Sequence, residues 1–123
     1  MPAIILDANA ILRYILDDIK EQADQVQELL ENSLRVVILP EVMAEVVYVL
    51  GKHYEQSRAK ISKRLLTFLD NVNDAPQTNL HHALELYGSS NFDFVDCILY
   101  SYSKYGAYKV FTFDKKMQKL LEE

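Results

Sequence analysis

The side chains best suited to chemistry in this sequence are carboxylates at the ends of apolar segments. Asp7 directly follows the apolar run 3–6, and Asp114 directly follows the apolar run 109–113. If these runs are neighbouring parallel strands, both carboxylates lie at the carboxyl edge of a sheet, where α/β proteins bind ligands. Either acid could instead serve only as the N-cap of the helix that follows it.

Glu45 is a third candidate because it lies in a helix that is apolar almost all round. This helix begins at Pro40, and the width of its apolar surface predicts that little of it faces water. Glu45 also lies four residues after Glu41, a spacing at which like charges repel. Something cationic should compensate, so we favour a functional role for Glu45 over a place at a solvated edge.

Two further acids, Asp93 and Asp96, lie near the start of a helix predicted over residues 92–105. Ser90 and Asp93 have the spacing of a capping box, which gives Asp93 a structural explanation. Asp96 lies between two apolar residues, deeper than a cap requires. Asp96 is therefore the stronger functional candidate of the two.

Brought to one edge, these carboxylates would repel one another, and one or more would have to hold a proton at neutral pH. No Lys or Arg is adjacent in sequence to Asp7, Glu45 or Asp96. A divalent cation would remove the problem, and all-oxygen ligation suits Mg²⁺ or Mn²⁺, whereas the three histidines and one cysteine have no zinc-site spacing. Setting the candidates Asp7, Glu45, Asp96 and Asp114 aside leaves 14 of the 18 acidic residues against 13 basic ones. Most of the acidic excess therefore belongs to the predicted site.

Short apolar runs alternate with long helical segments, which predicts a parallel sheet with helices on both faces. Buried strands are predicted over residues 3–6, 36–39 and 109–113. Helices are predicted over residues 8–16, 20–32, 40–53, 57–71, 80–87, 92–105 and 115–121. A further strand within residues 73–78 would be confined to a sheet edge, because Pro76 lacks a backbone N–H.

The composition predicts one folded, soluble domain over residues 1–123. Half of the residues are hydrophobic and 25% are charged, and the net charge of −5 disfavours a protein that coats nucleic acid or membrane. It does not exclude an enzyme that acts on them. The single Cys97 cannot form an intramolecular disulfide, and neither a signal peptide nor a bilayer-spanning apolar run is found. We therefore expect a cytoplasmic protein.

Four segments together resemble the motif series of PIN-domain proteins. They are residues 4–14, the helix that carries Glu45, residues 92–99 and residues 110–116. The series looks most like the small toxins of VapBC-type toxin–antitoxin pairs. The resemblance implies a three-layer α/β/α sandwich with a short central parallel sheet, and an Mg²⁺- or Mn²⁺-dependent endoribonuclease. The catalytic acids that it implies are Asp7, Glu45, Asp96 and Asp114.

The resemblance also implies how these residues divide the work. Asp7, Asp96 and Asp114 would bind the metal directly or through water. Glu45 would complete the coordination shell of the metal or assist the water that attacks the phosphodiester. Asn9 and Thr112 fall on polar positions that support the acids, and Asp93 falls on a variable neighbour. Residues 75–78 are a poor version of the family's third strand.

An RNA substrate would have to be held by cations outside the acid cluster, since bare carboxylates repel phosphate. Arg13 is one candidate for this contact, and a second group comprises Arg58, Lys60, Lys63 and Arg64, although a basic helix face of this kind is more often simply solvated. The tyrosines at 100, 102, 105 and 108 could stack on single-stranded bases, although such tyrosines more often belong to the core or to a subunit interface. The resemblance further implies a homodimer that binds a small antitoxin, with no membrane partner.

Other classes of protein are alternatives to this reading. A phosphoacceptor receiver domain needs an acidic pair after its first strand, and an aspartyl phosphatase needs Asp-x-Asp, where this sequence has Asp7-Ala8-Asn9. Both are disfavoured. A PIN-like nuclease of RNA processing without an antitoxin, and a non-catalytic PIN-like interaction module, stay open. A metal-dependent ribonuclease assay would separate the non-catalytic module from an enzyme.

Overall fold

A short parallel sheet confirms the predicted α/β class. The computed structural model describes residues 3–32, 35–72 and 78–123. Strand β1 (Ile4–Ile5) pairs with β2 (Val36–Val37) in parallel, with Ile4 opposite Val36. The β-branched residues of both strands favour extended backbone. The chain crosses from one strand to the next through two helices, as parallel pairing requires, and the arrangement is consistent with a PIN-like sandwich.

The described residues form seven helices, all at positions that the periodicity predicted. They are α1 (Ala8–Leu16), α2 (Lys20–Asn32), α3 (Pro40–Lys52), α4 (Arg58–Asp70), α5 (Thr78–Ser89), α6 (Phe94–Tyr105) and α7 (Lys115–Leu121). The bounds differ from prediction mainly at α5, which is longer at both ends, and at α6, which begins two residues later. The edge strand that the sequence allowed within 73–78 falls on residues 73–77, which lie outside the described residues.

Polar caps and a proline set where several helices begin. Asp7 accepts a hydrogen bond from the Ala10 N–H at 2.8 Å, and Ser57 accepts one from the Lys60 N–H at 3.2 Å. Each bond satisfies a backbone donor that has no partner inside the helix. Pro40 opens α3 at its first turn, where its fixed φ is already helical.

One apolar core joins the sheet to the helices. In the described chain, α1 packs against α2 and α3, α3 against α4 and α6, α5 against α4 and α6, and α7 against α6. The residues that are completely buried in this core include Ile11, Met43, Val46, Leu50, Ile61, Leu65 and Leu84. Because four of the α3 residues are buried, the helix that looked apolar almost all round is largely covered by its own domain.

The prediction of a buried strand over residues 109–113 is wrong. In the described chain this segment pairs with neither strand, and Phe111 and Phe113 are 84% and 85% exposed. Thr112 instead makes local hydrogen bonds, accepting from the Asp114 N–H at 3.1 Å and from the Gln118 side chain at 2.8 Å. These bonds lead the chain into α7, so they compete with strand pairing for the same backbone.

No helix in the described ranges is both long enough and apolar enough to span a membrane.

The contact between α4 and α5 depends on a glycine. A Cβ at Gly88 would lie 2.6 Å from both the Cβ and the Oγ of Ser62. Ser62 is itself buried and donates its hydroxyl to the Leu84 carbonyl oxygen at 2.7 Å. The two helices can therefore approach this closely only where one of them has no side chain.

We expect Gly88→Ala to lower the free energy of unfolding by about 1–3 kcal/mol, because the added methyl overpacks this contact. Gly51 is the matched control, since it also occupies the penultimate position of a helix and an added Cβ there would meet Ile61 at an ordinary 3.6 Å. Gly51→Ala should be neutral or stabilising by up to about 1 kcal/mol. Urea denaturation measures both, and equal effects would contradict the account.

Candidate functional site

Three of the candidate carboxylates meet at one pocket. The pocket has a volume of about 270 Å³ and is lined by Asn91, Phe92, Asp93, Asp96, Asp114, Lys116 and Met117. We call it the acid pocket. It joins two stretches of chain that lie about twenty residues apart in sequence, and it is a place where negative charge is concentrated.

The starts of two helices bring these acids together. Asp93 is the N-cap residue of α6, Asp96 lies in the first turn of the same helix, and Asp114 is the N-cap residue of α7. Since α6 packs against α7, the two N-termini face a common space. The partial positive charge of a helix N-terminus favours carboxylates at such positions.

The predicted capping box of Ser90 and Asp93 is wrong. Helix α6 begins later than predicted, so Asp93 itself is the N-cap residue, and its side chain makes no capping hydrogen bond. The Ser90 hydroxyl instead accepts from the Phe92 N–H at 3.4 Å. The Asp93 carboxylate therefore lines the acid pocket without capping a helix, whereas its spacing from Ser90 predicted a capping role.

Asp96 carries the electrostatic signature of the site. Burial raises the pKa of its carboxyl above the ordinary 3.8, and the negative charges of Asp93 and Asp114 raise it further. The ammonium of Lys116 acts in the opposite direction but is the smallest influence. Ionised Asp96 is therefore held at an energetic cost that a bound cation would relieve.

Asp114 has one oxygen engaged in the fold. Its Oδ1 accepts from the Met117 N–H at 3.1 Å, while its own N–H donates to the Thr112 hydroxyl at 3.1 Å. The capping bond fixes the direction of the carboxylate. Thr112, predicted from the resemblance as a supporting residue, thus holds the backbone from which Asp114 projects.

Asp7, Asn9 and Glu45 do not line the acid pocket. Asp7 and Asn9 are exposed at the start of α1, where Asp7 acts as the cap described above, and Glu45 is exposed on α3. The structure thus unites Asp96 and Asp114 with Asp93. The catalytic roles of Asp7 and Glu45 and the supporting role of Asn9 stay predictions.

Most of the arginines proposed for RNA contact are engaged within the fold. Arg13 is 15% exposed and forms an ion pair with Asp18 at 2.8 Å. Arg64 donates to the Ile15 carbonyl oxygen at 2.7 Å, at the end of α1. Neither guanidinium is a free surface cation, and a role for Arg13 in RNA binding stays a prediction.

Arg58 braces the segment that leads into the acid pocket. It donates to the carbonyl oxygens of Tyr87 and Phe92, and its guanidinium lies 3.8 Å from the centroid of the Tyr87 ring. Helix α4 is thereby joined to the end of α5 and to the start of α6. From the sequence Arg58 was a candidate for RNA contact or part of a solvated basic helix face, because nothing in its spacing reveals partners 29 and 34 residues away.

Lys116 and Asn91 are the members of the site that sequence reasoning missed. The Lys116 ammonium donates to Asn91 Oδ1 at 3.1 Å and lies 4.6 Å from the centroid of the Phe92 ring. Its position two residues after Asp114, in the first turn of a helix capped by that acid, was the available signal. Sequence position alone does not distinguish it from Lys115, which lies in the same turn and does not line the pocket.

Thiol chemistry is disfavoured at this site. Burial raises the pKa of the Cys97 thiol to about 11, so the nucleophilic thiolate is scarce at neutral pH. Cys97 packs in the core behind the acids and does not line the pocket.

The acid pocket has the donor chemistry of a magnesium or manganese site. No group of three or more His, Cys, Asp or Glu side chains within 3–32, 35–72 and 78–123 is arranged to hold one ion. Mg²⁺ needs fewer protein ligands than that, because it keeps several waters and commonly takes one or two carboxylates. One or two of the carboxylates of Asp93, Asp96 and Asp114 would supply the oxygen ligands that such an ion takes, and a cation there would lower the raised pKa of Asp96.

The sequence comparison identifies the class of protein. The PIN domain family matches residues 4–122, nearly the whole chain, and the chain belongs to this family. PIN domains are generally nucleases and typically use divalent metal ions. Comparisons with curated proteins and with solved structures gave no significant match.

The raised pKa of Asp96 predicts a pH-dependent gain in stability on Asp96→Asn without divalent metal. Ionised Asp96 is penalised only in the folded state, so the penalty is complete above its folded pKa and vanishes below 3.8, where both states are protonated. The variant should therefore melt a few degrees above wild type at pH 7 in chelator, and the difference should shrink as the pH approaches 4.

Glu28→Gln removes a carboxylate from the exposed face of α2 and serves as the control. It should show no comparable gain. A melting temperature for Asp96→Asn at or below that of wild type at pH 7 would contradict the repulsion described above.

Proposed function

We propose that this chain is a divalent-metal-dependent endoribonuclease and the toxin of a toxin–antitoxin pair. The observation that carries the proposal is the acid pocket, in which Asp93, Asp96 and Asp114 converge from two chain segments in a PIN domain. Such a cluster is costly unless a cation uses it. A carboxylate-held divalent cation serves the hydrolysis of phosphodiesters, and PIN domains are generally nucleases.

In this proposal Asp96 and Asp114 hold the metal, with Asp7 and Glu45 contributing as the resemblance implies. A bound divalent ion would activate a water and stabilise negative charge on the phosphate and the leaving oxygen. Asp114 keeps a fixed direction because its Oδ1 is tied to the Met117 N–H. Asp93 makes no capping bond, so its oxygens are available to orient a water at the pocket.

Two exposed aromatic side chains in the segment that leads to Asp114 support a single-stranded substrate. Phe111 and Phe113 immediately precede Asp114, and their rings lie 5.1 Å apart in an edge-to-face contact. Unpaired bases stack on such rings, and double-stranded nucleic acid offers no free base faces to them.

We expect Asp96→Asn and Asp114→Asn each to lower the rate of Mg²⁺- or Mn²⁺-dependent RNA cleavage at least about 100-fold, since an amide is a weaker ligand for a hard cation. Asparagine caps helices as well as aspartate does, so α7 should stay folded in Asp114→Asn. Rates are measured on a short fluorescent oligoribonucleotide, with circular dichroism as the check on folding.

Asp24→Asn, in an exposed ion pair on α2, is the matched control and should cleave like wild type. Added metal should also raise the melting temperature of wild type by mass action, more than that of Asp96→Asn. Full activity in purified Asp96→Asn, free of contaminating ribonuclease, would sink the assignment.

We propose further that the chain is a homodimer and that a small antitoxin inhibits it. The large side chains of Tyr48, Phe111 and Phe113 are exposed to solvent. Exposed apolar surface of this kind commonly marks protein interfaces. An antitoxin arginine that enters the acid pocket would pair with the same carboxylates that serve the metal. Inhibition and catalysis would then rest on the same charges.

Light scattering should give a dimer at tens of micromolar, and a strict monomer would contradict that part of the proposal. Expression of the chain should arrest growth, and coexpression with the product of a small adjacent gene should relieve the arrest. An active nuclease for which no neighbouring product gives relief would instead be a PIN nuclease of RNA processing. A chain without activity in any metal would be a non-catalytic interaction module.

A further inference from the structure

A single cationic side chain lines the acid pocket. Among its lining residues, Lys116 alone carries a positive charge, opposite the three carboxylates of Asp93, Asp96 and Asp114. It projects from the first turn of α7, one residue after the exposed Lys115, which does not line the pocket. Two adjacent lysines of one helix therefore have different surroundings.

Lys116 is held by neutral partners rather than by the acids. Its ammonium donates to Asn91 Oδ1 at 3.1 Å and lies over the Phe92 ring, 4.6 Å from the centroid. Within the described residues, no ion pair joins it to Asp93, Asp96 or Asp114, although all of them line the same pocket. The ammonium thus lies at the same pocket as the carboxylates and forms an ion pair with none of them.

The support for this position comes from the fold. Asn91 and Phe92 belong to the segment before α6, and Arg58 of α4 binds the Phe92 carbonyl oxygen. Both contacts of the ammonium, an amide oxygen and a ring face, orient a cation and leave its charge unneutralised. The side chain is exposed, so an anion that enters the pocket can reach it.

We infer that Lys116 positions the phosphate of the RNA substrate at the acid pocket. The inference rests on the proposed function and deepens it, because it answers how a pocket of three carboxylates admits a polyanion. A phosphate placed between a carboxylate-bound cation and the Lys116 ammonium would meet positive charge on both sides. Lysine suits this task as a compact point charge.

Three variants test the inference: Lys116→Met, Lys116→Arg and, as matched control, Lys115→Met. Lys116→Met should raise KM for a short single-stranded RNA about 10-fold while kcat changes less than about 3-fold, since the lost contact serves binding. Lys116→Arg should recover most of the loss. Lys115→Met should stay within about 2-fold of wild type in both constants.

Salt dependence separates a phosphate contact from a structural role. RNA binding is measured by fluorescence anisotropy, with Ca²⁺ replacing the activating metal and with varied NaCl. Loss of one phosphate contact should make the slope of log K against log salt shallower by about 0.7 for a single strand. Lys116→Met should show this change, whereas Lys115→Met should keep the slope of wild type.

Mn²⁺ affinity should not fall in Lys116→Met, in contrast to the affinity for RNA. Removal of a positive charge from the pocket should leave Mn²⁺ binding unchanged or tighter, measured by calorimetry on the protein without RNA. Weaker RNA binding together with undiminished Mn²⁺ binding supports the inference. A counterion that only neutralises the acids would instead give tighter Mn²⁺ binding with unchanged RNA affinity, and that result overturns it.

The remaining outcomes are also decisive. A lower kcat at unchanged KM, with no recovery in Lys116→Arg, overturns phosphate positioning in favour of a structural role. Wild type that cleaves RNA while Lys116→Met has the same KM and salt slope overturns this inference alone. Wild type that neither binds nor cleaves RNA overturns the proposed function, and this inference with it.

Discussion

Repulsion between carboxylates at the acid pocket is the constraint around which this domain is organised. Asp93 and Asp96 come from the start of α6 and Asp114 from the start of α7, so the packing of two helix N-termini forces the charges together. Burial raises the pKa of Asp96, and the repulsion from Asp93 and Asp114 raises it further. Such an arrangement lowers stability in the free protein, and domains retain costs of this kind where a ligand offsets them.

The rest of the domain holds that arrangement in place. Arg58 of α4 donates hydrogen bonds to the carbonyl oxygens of Tyr87 and Phe92, and these bonds hold the segment before α6 in place. Gly88 allows α4 and α5 to approach closely beside that contact. Helix packing far from the chemistry therefore determines where the acids point, and disruption of α4 should disturb the site without touching a carboxylate.

The same charge distribution serves several ligands in the proposed function. A divalent cation and an arginine of an antitoxin would each bind the carboxylates, whereas the phosphate of an RNA strand would contact Lys116. Because Lys116 is bound by Asn91 and the Phe92 ring rather than by an acid, both signs of charge stay accessible in one pocket. A nuclease that binds a metal cation and a polyanion at one site needs both negative and positive side chains there.

The sequence by itself determined the helices and the α/β class, and it singled out Asp96 and Asp114 as candidates for chemistry. Apolar periodicity and capping residues such as Asp7 and Asp114 are local signals, and all seven described helices lie close to where those signals put them. Only the tertiary structure decided that residues 109–113 leave the sheet and that Asp93 joins the pocket. It likewise decided that Arg58 braces the fold and that Lys116 faces the acids. Thr112 draws residues 109–113 into local hydrogen bonds with Asp114 and Gln118, whereas Arg58 and Lys116 depend on partners 34 and 25 residues away along the chain. Apolar periodicity carries no information about which groups, near or distant, compete for the same hydrogen bond.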